Sequence, residues 1–321
     1  MGNILVIGEM KGALVRKVSL EAASLAYTLA KAAGGEAHAL LIGDGATAGA
    51  TQFKDSGATK VFTAESDAVK TYAPNAYAGV AASLAKGYDA VIVPTSPFMR
   101  DLAAKLGATL KVLPVMDCIE AKADGGAIIV KRPAYAGKAM MSLKLKGKPS
   151  IFGIRPNVFP VNANGTTPAA EKVEAQAATD KAKVTAQKLE ARDEIPLSEA
   201  NIIVTGGRTT EGAKIFDSIR PVAKLLNAAV GSSRACVDAG FIGHSHQVGQ
   251  TGTTVSPNLY IACAVSGSIQ HRAGMSSSKV IVAVNKDVEA AIFGVATYGI
   301  VADVYQFLPA FEAELKKSLG A

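Results

Sequence analysis

The sequence predicts two α/β domains, the second of them Rossmann-like and doubly wound around a parallel sheet. Three observations carry this. At 321 residues the chain exceeds the usual reach of a single core. Residues 1–160 alternate apolar runs with helix-like segments, the pattern of parallel strands joined by crossover helices. Residues 161–200 hold no aromatic residue and are rich in Ala, Lys, Glu and Thr, after which the α/β alternation restarts. The expected division is 1–195 for a mostly parallel N-terminal α/β domain and 196–321 for the second.

The elements follow in order. Ile4–Ile7, Ala37–Ile42, Lys60–Thr63 and Ala90–Val93 are short apolar runs that read as strands. Leu20–Ala33, Tyr77–Lys86 and Arg100–Leu106 carry helical spacing between them. From about 115 the runs Val115–Ala121, Ala127–Lys131, Met140–Leu145 and Ser150–Ile154 are spaced like antiparallel or mixed strands, with Gly125-Gly126 suited to a hairpin turn. Past 200, Ile202–Val204, Ala228–Gly231, Leu259–Val265 and Val280–Val284 read as strands and Phe216–Leu226 as a helix. Ala290–Gly294 is a short segment before Gly299–Ala302. Pro309–Ser318 closes the chain as a helix whose Lys316 and Lys317 suit the negative end of its dipole.

Composition narrows the function classes. No segment approaches 18 uninterrupted apolar residues, and no secretory signal is visible at the N-terminus, so neither membrane insertion nor export is expected. Cys118, Cys236 and Cys263 are an odd, widely spaced set within apolar stretches; they read as free buried thiols, and no CxxC or CxxH pair offers a zinc site. The net charge of +7 comes from scattered lysines without interleaved aromatics, which argues against nucleic acid and for an anionic cofactor or an acidic partner.

The residues that carry chemistry cluster after position 200. Four polar loops adjoin apolar runs: Gly206-Gly207-Arg208, Ser232-Ser233-Arg234, Gln250-Thr251-Gly252 and Ser266–Gly274. Loops at the carboxyl ends of parallel strands converge on one crevice. Two arginines supply forked donors there, and glycines let backbone N–H groups approach phosphates, so together the loops describe a pyrophosphate site. Singly, Gly-Gly-Arg is no more than a helix-entry turn and Ser233-Arg234 no more than a cap followed by a surface charge. Neither GxGxxG nor GxxxxGK[ST] follows any expected strand, which favours a flavin over a nicotinamide or a P-loop nucleotide. A flavin ring needs a donor to N5, for which Thr251 offers a hydroxyl. It also needs a positive or donating group near N1 and O2, for which His271 is suited. His244 and His246 have the spacing of a metal pair but no third ligand, and His38 sits among apolar neighbours as a structural residue.

These motifs resemble the electron transfer flavoprotein alpha-subunit family. The resemblance rests on GGR (206–208), SSRACVDAGF (232–241), QVGQTG (247–252), LYIACAVSGSIQHRAGM (259–275), VIVAVNKD (280–287) and YGIVADV (298–304). ILVIGE (4–9), VSLEA (18–22), KRPAYAGKA (131–139) and IRPNVFP (154–160) extend it, less sharply, over the N-terminal half. It implies a heterodimer with a beta subunit contacted by the N-terminal domain, one FAD held by the second domain, and AMP or a second FAD in the beta subunit. By position, Arg208, Ser233, Gln250, Thr251, Ser266, Gly267, Ser268, Ile269, Gln270, His271, Asn285 and Asp303 would contact FAD. Arg234 would lie against the isoalloxazine, Thr251 near N5 and His271 near O2, these three tuning the flavin; Asn285 and Asp303 would hold the adenosine and ribose side.

The implied activity is electron carriage without an organic substrate of its own, from flavin dehydrogenases such as acyl-CoA dehydrogenases to a membrane quinone oxidoreductase. The implied place is a bacterial cytoplasm, or the mitochondrial matrix for a eukaryotic chain. Two alternatives stand beside it: an electron-bifurcating complex that uses NADH through a beta-subunit flavin, and a nucleotide-binding regulatory protein built on the N-terminal domain. The sequence departs from the family pattern at Gly243–His246, at Thr209, at Asp287–Ala291, and at Cys263-Ala264, which replaces the more usual Val-Gly ahead of the flavin loop. A thiol at 263 also offers a candidate redox-sensitive cysteine.

Overall fold

The computed structural model describes residues 2–135, 137–182, 184–186 and 194–320. The chain divides into two compact units, residues 1–134 with 140–189 and residues 135–139 with 190–321.

The first unit begins with β1 (Ile4–Ile7), the short pair β2 (Met10–Lys11) and β3 (Leu14–Val15), α1 (Lys17–Lys31), β4 (Ala37–Ile42) and α2 (Ala46–Gly49). Next come β5 (Lys60–Ala64), α3 (Pro74–Ala85), β6 (Ala90–Pro94), α4 (Pro97–Leu110) and β7 (Val115–Cys118). It ends with β8 (Glu120–Asp124), β9 (Ala127–Ala134), β10 (Ala139–Leu145), β11 (Ser150–Ile154) and β12 (Ala169–Lys172). Its main sheet has the order β12-β5-β4-β1-β6-β11-β7, and the strands with described register run parallel. Strand periodicity sorts β1 between two cores. Ile4 and Val6 join the face covered by Val18, Ala22, Leu25 and Leu29 of α1. Leu5 and Ile7 join the face covered by Val80 and Ala81 of α3 and Leu102 and Leu106 of α4.

Three expectations change here. Val115–Cys118 and Ser150–Ile154 are not antiparallel; they are the last two strands of the parallel sheet, and all five residues of β11 are buried, as a strand covered on both faces requires. Only β8, β9 and β10 form the separate sheet, antiparallel between β8 and β9, with Gly125 and Gly126 turning the hairpin at φ 53° and 82°. The aromatic-free stretch contributes an edge strand, β12, parallel to β5.

The carboxyl ends of this sheet fill themselves. Glu65, following β5, accepts from the N–H groups of Gly45 (2.9 Å) and Thr47 (3.2 Å) and from the Thr47 hydroxyl at the start of α2. The Thr47 hydroxyl and then these backbone donors hold the Glu65 carboxyl below the usual carboxylate range. Glu9, following β1, pairs with Arg16 at 2.9 Å.

The second unit contains β13 (Ile202–Gly206), α5 (Lys214–Leu225), β14 (Ala229–Ser232), α6 (Arg234–Asp238) and β15 (Leu259–Cys263). It continues through α7 (Ile269–Ala273), β16 (Val280–Asn285), β17 (Tyr298–Val301) and α8 (Val304–Leu319). The five strands are parallel in the order β14-β13-β15-β16-β17. Counted from β13 this is 2-1-3-4-5, a doubly wound order that reverses between β13 and β15. Ile203, Tyr260, Ala262 and Ile281 face one core; Val204, Ile261 and Val284 face the other, under Phe216 and Ile219 of α5 and Leu308 of α8.

The terminal helix starts at Val304, five residues before the expected Pro309. Asp303 caps it, its Oδ1 accepting from Tyr305 N–H at 2.8 Å. The three cysteines are free and buried. Burial pushes the Cys118 and Cys263 thiols up to about 12, which removes the thiolate a redox-sensitive cysteine would need. No helix among the described residues is long and apolar enough to cross a membrane.

Candidate functional site

Every strand of the second unit delivers polar residues from its carboxyl end. Gly207 and Arg208 follow β13, Ser233 and Arg234 follow β14, and Ala264–Ser268 follow β15. Asn285 ends β16, and Asp303 lies just beyond β17. Two crevices result. The larger, about 530 Å³, is walled by Gly207, Arg208, Ser233, Arg234, Asp238, Gln247–Thr251, Ala264–Ser268, Gln270 and His271. The smaller, about 210 Å³, is walled by Arg208–Glu211, Ala264, Asn285, Lys286 and Ala302–Tyr305. They share Arg208 and Ala264, the residues that leave β13 and β15 at the reversal point of the sheet.

Backbone packing explains the glycines there. A Cβ on Gly207 would stand 1.9 Å from the Ala264 carbonyl oxygen, so the two loops touch main chain to main chain. Gly267 has φ 82°, and a Cβ on it would meet Ile292 N at 2.3 Å. The Ser266 carbonyl accepts from that same Ile292 N–H at 3.1 Å, tying the turn to the segment after β16. Ala264 takes φ 54°, a left-handed conformation that disfavours a side chain, at the position where the resemblance leads one to expect glycine.

Within the larger crevice the side chains are held to different degrees. Arg234 is exposed and pairs along its own helix with Asp238 at 3.1 Å. Thr251 is exposed, and its hydroxyl oxygen accepts from Gln247 Nε2 at 2.9 Å, which leaves the hydroxyl proton to be donated. Gln247 is itself buried, and it is not among the site residues expected from sequence. Gln250 donates its N–H to the Gln270 carbonyl at 2.9 Å, joining two walls. Ser268 caps α7 and accepts from the His271 N–H at 3.4 Å. Ser233 stands at the N-cap position of α6 without a capping bond from its side chain, its Oγ 3.4 Å from Cys236 Sγ. Ile269 does not line either crevice: its side chain is half-exposed, between the lining residues Ser268 and Gln270.

His271 is the most deeply buried of the expected polar site residues, ahead of Asn285. It is 5% exposed, its Nε2 lies 2.9 Å from the Tyr260 hydroxyl, and Nδ1 has no hydrogen-bond partner. Burial pulls its pKa down to about 4, against a smaller opposing pull from the Val248 carbonyl. At neutral pH the imidazole is therefore an uncharged donor, and the cations at the crevice are Arg208 and Arg234.

In the smaller crevice half of the Asn285 amide's hydrogen-bonding capacity is used by the protein. Its Nδ2 donates to the Val265 carbonyl at 3.1 Å and its Oδ1 accepts from Asp287 N–H at 3.0 Å, so one N–H and one lone pair remain. Asp303 keeps one carboxylate oxygen beyond its cap. Lys286 adds a cation that was not expected from sequence. The His244–His246 segment is a single turn; His246 Nδ1 contacts the Val230 carbonyl at 3.0 Å and lies 3.5 Å from Glu194. No metal-binding group of three ligands occurs among the described residues.

Comparison with known proteins gives this geometry its family. The Electron transfer flavoprotein domain matches residues 4–191 and the Electron transfer flavoprotein FAD-binding domain matches residues 196–276. The chain is 37% identical over 320 residues to the electron transfer flavoprotein subunit alpha of Bacillus subtilis (strain 168), covering 98% of both chains. The chain belongs to the electron transfer flavoprotein alpha-subunit family. The subunit alpha of Syntrophomonas wolfei is 38% identical over 323 residues, 99% of this chain and 100% of its own. Protein FixB of Clostridium saccharobutylicum is 36% identical over 327 residues, 99% and 98%.

FAD is the cofactor of this electron transfer flavoprotein subunit, and the residues present suit it. Two joined crevices match an elongated ligand with a ring at each end, and a guanidinium stands at the neck where a pyrophosphate would pass. A buried imidazole nitrogen without a partner borders the larger crevice, and glycines 207 and 267 clear backbone to van der Waals range.

Proposed function

We propose that the chain is the FAD-carrying alpha subunit of a two-subunit electron carrier, without an organic substrate of its own. It would take electrons from flavin dehydrogenases such as acyl-CoA dehydrogenases and pass them to a membrane quinone oxidoreductase, in the cytoplasm of a bacterial cell. The beta subunit would carry AMP or a second FAD. The observation that supports this reading most is the pair of crevices joined at Arg208 and Ala264, with a neutral imidazole and an exposed guanidinium at the larger one. FAD, when bound, supplies the redox chemistry, one or two electrons at a time.

The side chains then divide the work. Arg208 at the neck would bind the pyrophosphate with forked donors. Ser233, Ser266 and Ser268 would add hydroxyl donors around it, with Gly267 and the backbone of Ile269 in the same turn. Asn285 and Asp303 would orient the adenosine and ribose with the donor and acceptors left to them, and Gln250 and Gln270 would close the wall between. Thr251, its oxygen held by Gln247, would donate its hydroxyl proton toward the flavin N5. His271 would donate to O2, and Arg234, released from Asp238, would place positive charge beside the isoalloxazine.

A nucleotide regulator built on the first unit is less well supported. There the donors that would meet a phosphate at the start of α2 already bind Glu65, and Glu9 is paired to Arg16. The two readings separate in one measurement: purification of the chain with its beta partner, followed by counting of FAD and AMP after denaturation. One FAD lost on mutation of Arg208 and His271 is the expected result. A colourless complex that added FAD does not reconstitute would sink the reading.

A further inference from the structure

A buried polar chain runs beneath the larger crevice. Thr205 on β13, Tyr260 on β15 and His271 on α7 are all buried, Tyr260 and Thr205 completely. The Tyr260 hydroxyl is 2.9 Å from His271 Nε2, and the two rings meet edge to face. A phenol can donate or accept in such a contact, so its direction is set by what the flanking groups can do. His271 Nε2 is the one hydrogen-bond partner of the phenol among the described residues, and the Thr205 hydroxyl makes no hydrogen bond. The other imidazole nitrogen, Nδ1, is likewise without a partner in the protein, and His271 borders the larger crevice.

Two arrangements remain. With the proton on Nε2, the phenol must accept, and both its own buried O–H proton and the Nδ1 lone pair are left without a partner. With the proton on Nδ1, Tyr260 donates to Nε2, and only the Nδ1–H, on a residue that borders the crevice, is left to find an acceptor. The second arrangement satisfies the buried phenol proton and the first does not.

We infer that Tyr260 is a positioning residue whose O–H donates to His271 Nε2 and so confines the single imidazole proton to Nδ1, making that N–H the donor His271 offers to an acceptor in the crevice. The proton's location stands on the buried contacts alone; only the identity of that acceptor rests on the FAD reading above. The hydrogen bond made by one ring nitrogen fixes the state of the other, which is the general route by which a neutral histidine is held in one tautomer.

The test is nitrogen NMR of the complete chain, labelled with ¹⁵N-histidine, in its complex with the beta subunit. His271→Gln assigns the resonances by their loss. The expected spectrum has a pyrrole-type Nδ1 and a pyridine-type Nε2 for His271. In Tyr260→Phe, which removes the donor and little volume, the Nε2–H form should appear and the FAD dissociation constant should rise about tenfold (about 1.4 kcal/mol). An Nε2–H tautomer in the wild-type complex overturns the inference, and so the decision stands even for a Tyr260→Phe chain that does not fold. A folded Tyr260→Phe complex with unchanged tautomer overturns it as well. A complex that takes up no FAD refutes the FAD reading instead, and the tautomer is then read on the flavin-free complex.

Discussion

Lowering the pH below neutrality charges His271 in the unfolded chain before it can charge in the folded one. The folded value is about 4 and the ordinary value 6.5, and burial is the main cause. The sign follows directly: a group whose pKa is depressed by folding supports the native state above its unfolded value and loses that support as pH falls toward its folded value. At ~1.4 kcal/mol per pH unit, the loss from this one residue reaches about 1.4 kcal/mol at pH 5.5 and about 3 kcal/mol at pH 4. The residue is 5% exposed, so solvent screening reduces this little. The assay is hydrogen–deuterium exchange of the β13–β16 peptides between pH 7 and 4, after correction for the intrinsic exchange rate, comparing the wild-type chain with His271→Gln. Glutamine does not titrate, so carboxylates and the other histidines cancel in the comparison. The wild-type opening free energy should fall faster by the amounts given. Parallel curves for the two proteins would show that His271 charges as readily inside as outside, and would refute the argument from burial.

Three further outcomes follow from the loops. Gly267→Ala puts a methyl 2.3 Å from Ile292 N at a left-handed φ; it should cost at least about 2 kcal/mol and reduce the flavin-to-protein ratio of the purified complex. Ala264→Gly relieves a side chain at φ 54° and should raise stability by about 0.5–1 kcal/mol after the entropy of the added glycine, measured as a higher thermal midpoint. Arg234→Ala removes an exposed ion pair with Asp238, so thermal stability should change by less than about 0.5 kcal/mol, while the flavin midpoint potential, measured by reductive titration, becomes more negative.

The strands around the site were legible because they are buried on both faces and read as unbroken apolar runs: Ile4–Ile7, Ala37–Ile42 and Leu259–Cys263 stand where the sequence placed them. The same property misled at Ser150–Ile154, whose neighbours in sequence are antiparallel but whose partners in space, β6 and β7, are not. β12 gave no signal, since each of its four residues is exposed and it is held only by main-chain pairing and a surface ion pair of Glu171 with Lys60 at 3.0 Å. In the site, the loops at the carboxyl ends could be read, because hydroxyls, arginines and glycines have few other reasons to gather after apolar runs. Gln247 and Tyr260 could not: one holds Thr251 and the other holds His271, and that support depends on side-chain geometry within turns and across a strand–helix connection, which residue spacing does not fix. Asp303 was expected as a ligand and overlooked as a cap, which is why the last helix begins earlier than its proline suggests.

Glu65 has a consequence for how the two halves of the chain depend on nutrition. By seating its own carboxylate on the donors at the start of α2, the first unit fills from within the place an anionic ligand would take there. The second unit leaves two arginines, a lysine and an imidazole with one unpartnered nitrogen around open space. A shortage of flavin would therefore fall on one half alone, producing chains whose front is finished and whose back waits, so that turnover by cellular proteases should begin at the carboxyl-terminal side.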